Sequence, residues 1–152
     1  MNIGAAEIRE WHLERDFIDI GYHWVIPRDG SLEQGRPADT VGAHTFGYNS
    51  TSVGVCLVGR DQFTEAQWIT LHHLVSSLRE TYPDAEVCGH NEFSHKACPG
   101  FNVKDWWGED ERTRTSGYDG AVPEVRQQGQ RETLRDRVRQ VLRYLVRLLG
   151  GK

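Results

Sequence analysis

The residues best suited to chemistry gather around one short stretch. His90 and Cys98 flank a loop, His90 following an apolar segment and Cys98 preceding Pro99 and Gly100, so backbone can converge there on one point. A neutral imidazole and a thiolate are good zinc ligands in tetrahedral sites. Lys96, two residues before Cys98, would aim an ammonium at whatever Cys98 holds and could stabilise an oxyanion forming there. Spacing alone does not select this pair. The chain has seven histidines and three cysteines, and a His-before-Cys pair is far less distinctive than a Cys-x-x-Cys signature. By spacing, Lys96 reads equally well as a surface lysine. His72 and His73 fall within a helical pattern where at most one can face the core, and His12 lies on a shorter one; these three read as structural or solvated.

The elements that must hold this loop can be read from periodicity. Ala5 to Arg15 places Ile8, Trp11 and His12 at helical spacing, which predicts a short amphipathic helix. Tyr22 to Pro27, then Arg28-Asp29-Gly30, then Ser31 to Gln34, predict two strands joined by a tight turn. Val53 to Val58 is a continuous apolar run closed by Gly59, the pattern of a strand covered on both faces, which places Cys56 in the core. Thr64 and Gln67 form a capping box. Trp68, Leu71, Leu74, Val75, Leu78 and Tyr82 follow every three or four residues until Pro83, predicting a helix over 64–82. Ala85 to Cys88 reads as a further short strand, and strand, helix, strand in this order gives an α/β class.

A chain of 152 residues suits one domain, here 1–107, followed by a polar, aperiodic linker over 108–130 and a basic amphipathic helix over 131–152. Leu134, Val138, Val141, Leu142, Leu145, Leu148 and Leu149 share one side of that last segment. It either docks on the domain or pairs with a copy of itself, or it lies on an anionic membrane surface. Residues 1–130 carry 11 basic and 20 acidic side chains, residues 131–152 carry 7 and 2. An acidic body argues against nucleic acid as a partner, because phosphate contacts need clustered Lys and Arg. Three cysteines point to a reducing compartment rather than a disulfide scaffold. No apolar run approaches the roughly 18 residues of a membrane span, and the first residues do not read as a signal peptide.

The runs GYHWVIPRDGSLEQGR (21–36), GAHTFGYNSTSVGVCLVG (42–59) and GHNEFSHKACPGFNV (89–103) together resemble the zinc-dependent N-acetylmuramoyl-L-alanine amidases, the type that includes T7 lysozyme and the peptidoglycan recognition proteins. The resemblance covers residues 1 to about 107. It implies a mixed β-sheet flanked by helices, a zinc ion in a surface groove, and cleavage of the amide between N-acetylmuramic acid and the L-alanine of the stem peptide in peptidoglycan. It also implies a phage or prophage lysin, cytoplasmic until released to the cell wall. Carried over by position, His90 and Cys98 match two zinc ligands, Tyr22 and Lys96 the catalytic tyrosine and lysine, and His23 and His44 histidines near the groove that would meet substrate. In such a site zinc lowers the pKa of a bound water and polarises the scissile carbonyl, Tyr22 orients that water or relays its proton, and Lys96 meets the developing negative charge.

The chain departs from the family in one respect. The family supplies a further ligand histidine at the end of a first β-strand, and the 21 residues before Tyr22 contain no apolar strand ending in His. The expectation is a truncated reading frame with Met1 an internal methionine. The alternatives are recruitment of His23 or His44 as a substitute ligand, or a non-catalytic relative that binds peptidoglycan or regulates a partner. From the charge asymmetry, deletion of the residues after Gln130 is expected to weaken adsorption to purified cell walls more in low salt than in high salt. Equal loss at both salts in a sedimentation assay would contradict an electrostatic role for the tail.

Overall fold

The computed structural model describes residues 3–113. Its centre is a small mixed sheet of β1 (Trp24–Ile26), β2 (Glu33–Gln34) and β3 (Val55–Leu57), in the order β2-β1-β3. β1 pairs antiparallel with β2 through Trp24↔Gln34 and Val25↔Glu33, and parallel with β3 through Trp24↔Val55, Val25↔Cys56 and Ile26↔Leu57. Successive side chains on a strand point to opposite faces, and here that alternation sorts two cores. Trp24 and Ile26, with Val55 and Leu57, pack on one face against Leu71, Leu74 and Val75 of α2 (Glu65–Thr81) and Trp107 of α3 (Val103–Thr113). Val25, with Cys56 beside it, packs on the other face against Ala5 and Ile8 of α1 (Ala5–Leu13). The expected α/β class, with helices flanking a mixed sheet, is the observed one.

Local chemistry explains where the elements start. Thr64 Oγ1 accepts from the Gln67 N–H at 3.2 Å, and Gln67 Oε1 accepts from the Thr64 N–H at 3.0 Å, the predicted capping box. Gln67 is fully buried, and its Nε2 donates to the carbonyls of Ile26 (3.1 Å) and Val58 (2.9 Å). One side chain thus caps α2 and joins the ends of β1 and β3. The Pro27–Gly30 turn is as expected, with Gly30 at φ +78° against Ala66, where a Cβ would collide. The strands it joins are shorter than the apolar pattern suggested, with residues 27–32 forming the connection.

Two readings change. Ala85 to Cys88 is not a strand. Only Val87 of this segment joins the core, and Arg79 donates to the carbonyls of Pro83 and Ala85, so a side chain supplies partners where a ladder was expected. Residues 109–113, read as aperiodic, continue α3, whose first turn is capped by Asn102 Oδ1 accepting from Lys104 and Asp105 N–H groups at 3.1 and 3.2 Å. The linker beyond residue 113 and the basic helix over 131–152 lie outside the described residues.

Two outcomes follow for stability. Gln67→Leu leaves two buried carbonyls without their donor, so the unfolding free energy drops by about 2 kcal/mol; an unchanged urea midpoint would refute the cross-link. His12 and His23 are 7% and 2% exposed, and burial lowers both imidazole pKa values, with Arg15 and Arg36 adding to the effect at His12. The unfolded chain therefore takes up protons that the fold refuses. Stability is complete above the unfolded histidine value of about 6.5 and declines as pH falls below it. A urea midpoint that decreases from pH ~7.5 to pH ~5, with a shallower fall in His12→Asn, is expected; parallel slopes for the two chains would contradict it.

Candidate active site

The site is built where β1 begins, where the loop before β3 folds back, and where the chain leaves α2. Tyr22 and His23 immediately precede β1. His23 uses both ring nitrogens: Nδ1 accepts from the Gly54 N–H at 2.9 Å, and Nε2 bonds the Thr40 carbonyl at 2.9 Å, which places the proton on Nε2. The Gly54 carbonyl in turn accepts from the His23 and Trp24 N–H groups. His23 is therefore an enclosed brace beneath the site, and its ring has no nitrogen left for a metal or a substrate.

His44 lies edge-on to His23 (centroids 5.5 Å, 71°) and stacks with Tyr22 (6.4 Å, 20°). Its ring rests against Gly42 and Gly54, where any Cβ would fall on it. Its loop is tied by Asn49, whose Oδ1 accepts from the His44 and Thr45 N–H groups at 2.8 and 2.7 Å. Nδ1 sits 3.2 Å from Thr45 Oγ1, while Nε2 is buried with no partner. Burial first, then the neighbouring His23 ring, takes the His44 pKa down to about 4. His90 also contributes, so the two imidazoles are electrostatic neighbours. Tyr22 is pushed up to about 12, chiefly by burial and then by Cys56 and Cys98. At neutral pH it is a phenol with its proton in place.

The third wall is the segment 89–100. His90 opens a one-turn 3₁₀ helix (His90–Glu92), and Asn91 N–H donates to the Cys98 carbonyl at 2.7 Å, closing the loop so that His90, Lys96 and Cys98 share one turn of chain. Glu92 fastens it from outside, accepting from the Gly89 N–H at 2.8 Å and pairing with Lys104 of α3 at 2.6 Å. Lys96 is exposed, and its ammonium counteracts the rise that burial imposes on the Cys98 thiol. Cys56, expected in the core of a strand covered on both faces, is half-buried, because β3 is an edge strand of the three-stranded sheet; what burial it has, with Cys98 adding, pushes its thiol up to about 12.

The structure relates these groups in pairs, Tyr22 with His44 and Cys98, His44 with His90, and Cys98 with Lys96, and sets the His23 ring against His44. The donor chemistry suits zinc only in part. His90 and Cys98 make a pair, but among the described residues no group of three or more His, Cys, Asp or Glu could hold a metal ion. A catalytic zinc needs three protein ligands, so these two donors do not complete the set.

Several positioning residues escaped sequence reasoning. Arg36, 4% exposed, donates to the carbonyls of Ile20 (2.8 Å), Asp19 (3.3 Å) and Val41, locking the entry to β1 to the His44 loop. Nothing local marks an arginine as buried. Asn49 carried a usable signal, since an Asn beside Gly and Ser in a loop often bonds nearby backbone.

Comparison with known proteins places these features in a family. Residues 3–101 match the family model described as N-acetylmuramoyl-L-alanine amidase. The endolysin of Klebsiella phage KP32 is 46% identical over 119 residues, covering 73% of this chain and 79% of the relative. Among solved structures, the N-acetylmuramoyl-L-alanine amidase LysC from Clostridium intestinale URNW superposes with a TM-score of 0.67 at 29% identity, covering 72% of this chain and 77% of that one. The complex of tracheal cytotoxin with the ectodomains of peptidoglycan recognition proteins LCa and LCx gives a TM-score of 0.60 at 27% identity, covering 66% of each chain. With a matching model over most of its length and relatives this close, the chain belongs to the N-acetylmuramoyl-L-alanine amidase family.

Proposed function

We propose that this protein is a cell-wall lytic amidase of the endolysin type. It hydrolyses the amide between N-acetylmuramic acid and L-alanine in peptidoglycan, acting after release from the cytoplasm. The observation that supports this reading is the Asn91 to Cys98 closure, which holds His90 and Cys98 in one loop, with His90 in electrostatic reach of His44 and Cys98 in reach of Tyr22 and Lys96. No helix among the described residues is long and apolar enough to cross a membrane.

The chain's own groups have distinct tasks. Attack on an amide carbonyl builds negative charge on its oxygen, and the Lys96 ammonium is the cation available to meet it. Tyr22, protonated at neutral pH, donates a hydrogen bond to the same developing charge or to the attacking water. His44 is neutral at that pH and, with its Nε2 enclosed, shapes the wall beside Tyr22. His23 holds His44 in place. Zinc dependence is part of the proposal, with His90 and Cys98 as the donors this chain offers.

A second reading has specific support. The two-donor set falls short of a catalytic zinc site, and one fold relative was solved with tracheal cytotoxin bound. On that reading the chain grips muropeptide without cutting it.

Three measurements decide. Tyr22→Phe and Lys96→Ala should each cost about 100-fold in release of L-alanine amino termini from purified cell walls while sedimenting with them normally; full activity in either variant would remove that residue's role. Zinc content of the purified chain should fall in Cys98→Ser, and equal content would remove Cys98 as a ligand. A wild-type chain that binds walls yet releases no amino termini and clears no turbidity would establish the binding reading over hydrolysis.

A further inference from the structure

Three large aromatic side chains stand in the open beside the site. Phe46 is 99% exposed, Tyr48 47% and Phe93 43%. A single exposed apolar residue is ordinary. Here Tyr48 and Phe93 touch, ring centroids 4.4 Å apart at 45°, although they come from different loops. Tyr48 belongs to the loop that carries His44, and Phe93 to the loop that carries His90, Lys96 and Cys98. Both loops are held by their own backbone. The Tyr48 carbonyl accepts from the Thr51 N–H at 3.1 Å and from Ser52 Oγ at 2.6 Å; the Phe93 N–H donates to the His90 carbonyl at 3.1 Å. Gly47, at φ +85°, makes the turn that separates Phe46 from Tyr48.

The surroundings say what such a surface would bind. From residue 37 to residue 59 the chain contains no Lys or Arg, and the polar groups of this loop near the rings are hydroxyls and an amide, Thr45, Asn49, Ser50, Thr51 and Ser52; on the Phe93 loop Glu92 is neutralised by Lys104 and Lys96 is a lone cation, not a basic cluster. An anionic lipid surface would call for basic side chains around the aromatics. A pyranose has apolar C–H faces and a rim of neutral hydroxyls, which complements rings set among neutral hydrogen-bonding groups.

We propose that Phe46, Tyr48 and Phe93 form a saccharide platform on which a sugar ring of a β-linked N-acetylhexosamine strand stacks, positioning the glycan beside the site. This rests on the peptidoglycan reading and deepens it by assigning the glycan, rather than the stem peptide, to this edge. The three are positioning residues and touch no reacting bond.

The test uses the full chain and chitotetraose, a neutral N-acetylglucosamine tetramer without peptide, titrated by calorimetry. Phe46→Ala should raise its dissociation constant about fivefold, Phe46→Trp should restore it, and Phe93→Ala should weaken it similarly. Ile18→Ala, another 89%-exposed apolar residue, serves as the surface control and should leave it unaltered. Against purified cell walls, the Phe46→Ala loss should fall mainly on KM, rising about fivefold, rather than on kcat. Because Phe46 is wholly exposed, its unfolding midpoint reports directly that the variant remains folded. The platform is overturned if the wild-type chain does not bind chitotetraose, if Phe46→Ala binds it equally well, or if Phe46→Ala loses affinity only for phosphatidylglycerol vesicles. Saccharide binding that depends on Phe46 in a chain releasing no amino termini keeps the platform and sinks the hydrolytic reading. Intact hydrolysis with Phe46-independent saccharide binding does the reverse.

Discussion

The doubly bonded ring of His23 is the constraint from which the site's geometry descends. One nitrogen accepts from Gly54 at the entrance to β3 and the other holds Thr40 on the loop before it, while the backbone of His23 bonds the Gly54 carbonyl. A single imidazole therefore fixes three pieces of chain at the top of the sheet. Protonation would turn the accepting nitrogen into a donor facing another donor, so the brace holds only while the ring is neutral, and burial keeps it so. His44 rests edge-on against this brace, over two glycines that leave it room. Arg36 works from the other side, gathering the carbonyls of Ile20, Asp19 and Val41. The position of His44 is thus set by groups that never meet the substrate.

An electrostatic consequence follows. Burial shifts Tyr22 and His44 in opposite directions, up to about 12 and down to about 4, and each shift favours the uncharged form. Between those limits the wall made by these two rings carries no charge of its own. The cations that bear on these rings are Arg15 at Tyr22 and Arg36 at His44, while Lys96, on an exposed loop closed by Asn91 and Cys98, bears on the Cys98 thiol.

Much of this was legible from sequence where local chemistry and tertiary outcome agree. The Thr64–Gln67 box and the apolar spacing after it fix α2, and Asp29-Gly30 fixes the turn. Ala85 to Cys88 misled because an apolar tetrapeptide carries no information about whether a partner strand is at hand. α3 was missed because its apolar residues, Val103, Trp106 and Trp107, all lie in its first half, leaving the second half without a period to read. In the site, the resemblance could not separate exposed from enclosed groups. His23 and His44 look alike in sequence; only the hydrogen bonds distinguish the brace from the ring with a free nitrogen. The burial of Arg36 and the exposure of Phe46 are likewise properties of the assembled loops.

That assembly also separates gripping the wall polymer from cutting it. The contacts that shape the groove are hydrogen bonds and ring contacts among the chain's own residues: His23 with Gly54, Asn49 with its loop, Asn91 with Cys98, and Tyr48 with Phe93. None requires a bound ion. A surface organised this way keeps its shape and its neutral wall whether or not the His90 and Cys98 donors are completed. Within one fold family, a hydrolase and a recognition protein can then differ in a donor set while sharing the scaffold that presents the substrate. The brace beneath His44 is built from deeply enclosed polar groups, His23 and Arg36, which leaves its geometry independent of that donor set.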